Sequence, residues 1–198
     1  MRSLLGVVAF GAMAAAFAAP AVAAGPTSDP VGLVQTAASD LTQAAQVAPG
    51  APREAAMRNV LQREFDLPYI ASVSFGAHWN EASGDQQARI LAAFETSEAR
   101  AYAHRMETYS GAAITVGMAT VGANGNWVVH SSLDLPNGQS VQLTWEVHAA
   151  AQGLRIADVE AEGVSLFSTN RTANDSYIKN HGGKVEPLVQ VLEARAVH

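Results

Sequence analysis

Apolar positions along this chain change period twice, from helical spacing to strict alternation and back, which predicts helices, then strands, then helices. From Val31 to Val47 the apolar positions are Leu33, Val34, Ala37, Leu41 and Ala45, and Pro49-Gly50-Ala51-Pro52 breaks that helix. A second helix, from about Arg53 to Glu64, presents Ala56, Met57, Val60 and Leu61 on one face. Pro68 is expected to end regular helix, because the residue before a proline avoids the αR region. A short loop is expected to follow, through Phe75 and Trp79. Ser83-Gly84-Asp85-Gln86 is a capping box, in which Ser83 accepts from the backbone of Gln86 and the Gln86 side chain reaches back. Ile90, Leu91, Phe94, Ala101, Tyr102 and Tyr109 then share a face until Gly111 stops the helix.

From Ala113 the period is two. Ile114, Val116 and Met118 alternate with small or polar neighbours; Val129, Ser131 and Leu133 follow with Trp127 after the turn at Gly122–Asn126. Pro136-Asn137-Gly138 is a strong hairpin signal. Val141, Leu143, Trp145 and Val147 make the cleanest strand, and a fourth runs from Gly153 through Glu162. Helices return from about Leu166 to Asn180 and Val185 to Ala196, separated by Gly182-Gly183. The pattern predicts an α+β domain: a curved antiparallel four-stranded sheet, apolar on one face, packed against N-terminal and C-terminal helices.

Bulk is unevenly spread over this pattern. Two aromatics lie in the leader; of the eleven that remain, seven (Phe65, Tyr69, Phe75, Trp79, Phe94, Tyr102 and Tyr109) fall between 65 and 111. A layer so loaded must press onto the sheet, either as a filled core or around a space for a ligand.

Residues 1–24 read as a cleaved signal peptide: Arg2, an apolar run from Leu4 to Phe17, then Ala21-Val22-Ala23 or Val22-Ala23-Ala24 before the cut. Residues 25–198 are then one domain, expected to be soluble in the periplasm. Cysteine is absent, which excludes disulfides, a thiolate nucleophile and a lipid-modified N-terminal Cys. Past the leader, 11 Lys and Arg face 18 Asp and Glu. That balance opposes nucleic acid, which demands a basic face, and electrostatic adsorption to anionic lipid.

Catalytic patterns are weak. Gly163-Val164-Ser165 lacks the second glycine of a nucleophile elbow. His78-x-x-Glu81 and His104-x-x-Glu107 read as exposed polar pairs rather than zinc sites, which need three or four convergent ligands. His130 and His148 fall on polar strand faces, where a solvated imidazole is expected. Asp158, Glu160 and Glu162 share strand parity and read as a solvent side, with Ala157, Val159 and Ala161 inward. No catalytic residue, metal or cofactor is assigned.

Longer motifs carry a family likeness. Phe65-Asp-Leu-Pro-Tyr-Ile-Ala71, Phe75-Gly-x-x-Trp79, Ala82-Ser-x-x-Gln86, Phe94, Ala101-Tyr102 and Tyr109-x-Gly111 resemble the MlaC family, the toluene-tolerance auxiliary component of ABC transporters. Pro136-Asn-Gly138, Arg155-Ile-Ala-Asp158-Val159, Glu162-Gly-Val-Ser-Leu166, Arg171 and Gly182-Gly183 fit as well, so the resemblance covers about Val31 to Ala194. It implies a periplasmic carrier that holds phospholipid acyl chains in an apolar pocket between sheet and helices. The implied partners are an outer-membrane lipoprotein complex and an inner-membrane ABC transporter with a ring-forming substrate-binding subunit. Related members occur in hopanoid-biosynthesis clusters, so a hopanoid stands beside phospholipid as an implied ligand.

Burying an acyl chain is worth about 0.8 kcal/mol per CH₂, more than about 10 kcal/mol for sixteen carbons, and a carrier must supply an apolar lining to match. The expected lining is Ile114, Val116, Met118, Val129, Leu133, Leu143, Trp145 and Val147 of the strands, facing Phe94 and Tyr102, with Phe65, Tyr69 and Phe75. The mouth is expected where 65–79 meets the strand ends. Two other classes stay open: an enzyme on a cone-shaped α+β scaffold, and a periplasmic chaperone or adaptor that binds protein.

Overall fold

The computed structural model describes residues 29–108, 111–165 and 169–197. The expected signal peptide, Tyr109, and Leu166 with the start expected for the next helix lie outside them. Helix α1 (Pro30–Ala45) starts on Asp29, whose side chain accepts from the Gly32 amide, and α2 (Ala51–Glu64) follows the proline-glycine break. Pro68 does not end helical structure. It sits in the first turn of α3 (Leu67–Phe75), where a missing N–H costs nothing, and Asp66 caps that helix by accepting from the Tyr69 amide. The expected loop is therefore mostly helix: after Gly76 comes α4 (Ala77–Glu81). Gly76 has φ +56°, a conformation that favours glycine, and the Arg171 guanidinium packs against it. The capping box opens α5 (Gly84–Thr108) with both reciprocal hydrogen bonds, Ser83 N–H to Gln86 at 2.9 Å and Gln86 N–H to Ser83 at 3.2 Å.

Strands β1 (Ala113–Val121), β2 (Trp127–Asp134), β3 (Ser140–Ala150) and β4 (Gly153–Ala161) form the expected meander, and β5 (Val164–Ser165) adds a short fifth strand. The sheet is open and antiparallel throughout. β4 ends one residue earlier than its alternation implies, because Glu162 and Gly163 both take positive φ between the paired Ala161 and Val164. Two such residues make a tight hairpin turn, which sends the chain back as β5.

Two bulges set the faces. Val116 pairs with Ser131 and Ala119 with Val129, so Gly117 and Met118 together oppose His130. Likewise Ala157 and Asp158 together oppose Glu146. An extra residue reverses the alternation beyond it. Met118 is thereby turned outward, and Ile156, paired with Val147, joins the core cluster, while Ala157 is buried outside it.

Helices α6 (Thr169–Asn180) and α7 (Glu186–Val197) complete the chain. One apolar cluster lies between α1, α2, α3, α5 and the inner sheet face, around Trp145, Met57 and Ile156. A smaller one joins Phe75, Ile90, Ile178, Leu188 and Val189. Arg89 of α5 ties α7 on with hydrogen bonds to both carboxylate oxygens of Glu193, each 2.7 Å.

Candidate functional site

Where α1 and α5 face the inner side of the sheet, several of the residues between them are small: Ala45 on α1, Gly111 and Ala112 before β1, Ala161 at the end of β4. Larger side chains there would fill the space. Instead a cavity of about 520 Å³ remains, walled by Leu41 of α1, Tyr102 of α5, and Ile114, Leu133, Leu143, Trp145 and Val159 of the strands. Phe65 enters this wall because the end of α2 is fastened to the sheet edge. Phe65 bridges Ile156 in parallel, and the Asp66 amide donates to the Ile156 carbonyl at 2.9 Å.

Polar chemistry in the wall is sparse. Trp145 donates its indole N–H to the buried Ser131 hydroxyl at 2.8 Å, which explains a serine on the inner face. Thr42 donates to the Ala38 carbonyl of its own helix. Arg105 is the one charged side chain among the described lining residues, and its guanidinium lies 5.4 Å from the centre of the Tyr102 ring. Burial pushes the Tyr102 hydroxyl up, so it stays neutral. Two turns before Arg105 on α5, the buried Glu98 carboxyl is pushed up to about 7 by desolvation, which the Arg105 charge partly offsets.

A second, more open groove of about 470 Å³ runs between α1 and β1 and shares Thr42, Ala112 and Ile114 with the cavity. A smaller space near α3, lined by Leu67, Pro68 and Arg155 among others, is about 260 Å³ and mixed in polarity.

Of the residues expected in the lining, the structure gathers Phe65, Tyr102, Ile114, Leu133, Leu143 and Trp145 around one space. Phe94, Val129 and Val147 are buried in the same cluster but stand behind the wall. Val116 faces the α1–β1 groove instead. Three others are elsewhere. Met118 is 83% exposed because of the bulge. Phe75 packs in the second cluster against the edge of Trp79. Tyr69, half exposed, leans on His148, their ring centres 4.6 Å apart. The expected mouth at 65–79 contributes only Phe65 to this cavity, since α3 packs as a helix. The contribution of α1 (Leu41, Thr42, Ala45 and Gln46) was missed, although its apolar stripe already contains Leu41 and Ala45.

Two of the histidines read as solvated or merely exposed have partners on other elements. His148 contacts Asp66 at 2.9 Å, so the α3 cap residue also holds the outer sheet face. His78 lies 2.7 Å from Glu81 and 3.1 Å from Asp175, joining α4 to α6; those hydrogen bonds, that to Glu81 foremost, hold its pKa above the usual value. Among the described residues no group of three His, Cys, Asp or Glu is placed to hold a metal ion. No described helix is long and apolar enough to cross a membrane.

The model of the MlaC protein family matches residues 32–194, from the first turn of α1 to the last of α7. The chain belongs to the MlaC family. No curated protein matches the sequence. A phospholipid-binding protein from Ralstonia solanacearum, solved in complex with a phospholipid, superposes with a TM-score of 0.71 at 22% identity, covering 85% of this chain and 97% of that one. At that identity the likeness is one of fold: helices over an open antiparallel sheet, in keeping with the MlaC assignment.

Proposed function

We propose that this protein is a periplasmic phospholipid carrier that encloses an acyl chain in the cavity between the sheet, α1 and α5. The observation that carries the reading is the hollow itself, since protein interiors are normally close-packed and empty space on this scale is rare. The cavity has the volume of roughly 17 waters at the ~30 Å³ each takes in the liquid, the scale of one long acyl chain. A second chain fits along the adjoining α1–β1 groove, across the wall of Thr42, Ala112 and Ile114. Membership of the MlaC family and the phospholipid held by the Ralstonia protein of the same fold support the ligand class.

The protein acts as a carrier and not as an enzyme; what favours a carrier is a lining dominated by apolar side chains such as Leu41, Phe65, Leu133 and Leu143. It is exported by the leader at 1–24, takes lipid from one membrane and yields it at the other. Its partners are an outer-membrane lipoprotein complex and an inner-membrane ABC transporter with a ring-forming substrate-binding subunit. Each 1.4 kcal/mol of burial is a factor of ten, so a chain buried by more than about 10 kcal/mol escapes into water very slowly. Release is therefore coupled to docking on these partners.

Native mass spectrometry of the protein purified from a periplasmic extract tests the proposal. A mass increment that fragments to phospholipid is expected, on a chain beginning at Ala24 or Gly25. The same spectrum distinguishes phospholipid from a hopanoid. A ligand-free chain that also fails to take lipid from anionic vesicles would sink the carrier reading.

A further inference from the structure

We propose that Arg105 is the headgroup-selecting residue of this cavity, favouring acyl lipids that carry an oxyanion, phosphate first, over neutral ones of equal chain length. The inference rests on the carrier reading above. Its basis is placement: a cation stands in the wall of an otherwise apolar cavity, stacked on Tyr102, a side chain buried in that same wall. Stacking on an aromatic face orients a guanidinium and limits the rotamer freedom it loses when it binds. The planar fork then suits two parallel hydrogen bonds to phosphate or carboxylate oxygens.

Charge distribution points the same way. The whole chain carries a formal charge of −6, yet the described lining holds one cation and no anion. Glu98, the described carboxylate that Arg105 influences from two turns away, is buried and held partly neutral near pH 7. It stands outside the lining, so the guanidinium is the charge that a ligand meets among the described lining residues. Gln46, from the C-terminal end of α1, adds a polar amide to the same lining.

The test compares two probes that differ only by the phosphate, 1-palmitoyl-lysophosphatidate and 1-palmitoylglycerol, both below their micellar concentrations. Affinity is read by displacement of Nile red from the full secreted chain. The parent should prefer lysophosphatidate about tenfold, as one charge-assisted contact allows. Added salt should shrink the ratio. Arg105→Gln should bring the ratio close to one, and Arg105→Lys, which keeps the charge but not the fork, should keep only part of it; thermal melting confirms that both variants are folded. Palmitate as a third probe separates a carboxylate head from a phosphate, and preference for either over the neutral probe supports the inference. Displacement by inorganic phosphate alone at millimolar concentration would overturn it, because the oxyanion would then not need its chain. So would equal affinities in the parent, or an undiminished ratio in folded Arg105→Gln. Failure of the parent to bind any acyl probe would sink the carrier reading and this inference together.

Discussion

The two apolar clusters of this protein close in opposite ways. Phe75, Ile90, Ile178, Leu188 and Val189 meet helix against helix, and none of the cavities described above touches them. The larger cluster meets helix against sheet and leaves about 520 Å³ empty. Ridges of one helix drop into grooves of another, so modest side chains suffice to fill that contact. A coiled sheet curves away from a straight helix, and the gap fills only if bulky residues stand in it. Here Ala45, Ala112 and Ala161 stand there. One region closes on itself and the other leaves space between its layers.

The sharpest way to break this contrast is to truncate one side chain in each region. Ile178→Ala, at a fully buried position in the solid cluster, should cost about 4 kcal/mol, whereas Leu143→Ala in the cavity wall should cost about 2. The second value is smaller because its neighbours already border a void. Urea denaturation of the ligand-free proteins gives both numbers, and equal losses would mean that the larger cluster is as tightly filled as the smaller.

Helix α5 serves both regions, giving Ile90 to the solid cluster and Phe94, Ala99 and Tyr102 to the hollow one. Glu98 sits in its hollow half. Its folded pKa is raised from 4.5 to about 7, so between those values the folded chain holds more protons than the unfolded chain. Stability from this group is therefore fully present below about pH 4.5 and is lost as pH rises to 7, by on the order of 3 kcal/mol. Glu98→Gln should flatten that part of the pH profile and melt higher than the parent at pH 8. A variant whose profile parallels the parent's from pH 5 to 8 would show that Glu98 is solvated.

The smallest stability effect should come with the clearest functional one. Leu143→Trp places bulk in existing space, and its stability should change by less than about 1 kcal/mol while bound lipid falls. Val129→Trp, behind the wall and fully buried, overpacks and should cost about 1–3 kcal/mol. Lipid content after extraction, measured beside the melting temperature, checks the pair. Similar stability losses in both would mean that Leu143 also sits in a filled core.

Much of the fold was legible because its signals are local. The Ser83–Gln86 box, the Pro136–Gly138 turn and the alternation of β3 each specify a backbone state within a few residues, and each is found in place. The site was legible where parity was undisturbed: Leu133, Leu143 and Trp145 lie where alternation puts them. It failed beyond the bulges: Gly117 inside the alternation is a bulge signal, but it does not say that two residues will oppose one on the neighbouring strand. Pro68 misled for a related reason. A proline that cannot continue a helix can begin one, and the decision rests with Asp66, which caps α3 while its other oxygen meets His148 eighty-two residues away.

The sequence by itself determined most of the elements, though not α3, α4 or β5, together with the four-stranded meander and the family, since each is written in spacing and motif. Only the tertiary structure decided that the hollow lies under α1 and α5, that Arg105 borders it, and that Phe75 and Tyr69 do not. A void is the difference between the distance separating two layers and the summed volume of the side chains between them. That difference depends on sheet curvature and on residues up to 120 positions apart, such as Leu41 and Ala161, and no local pattern encodes it.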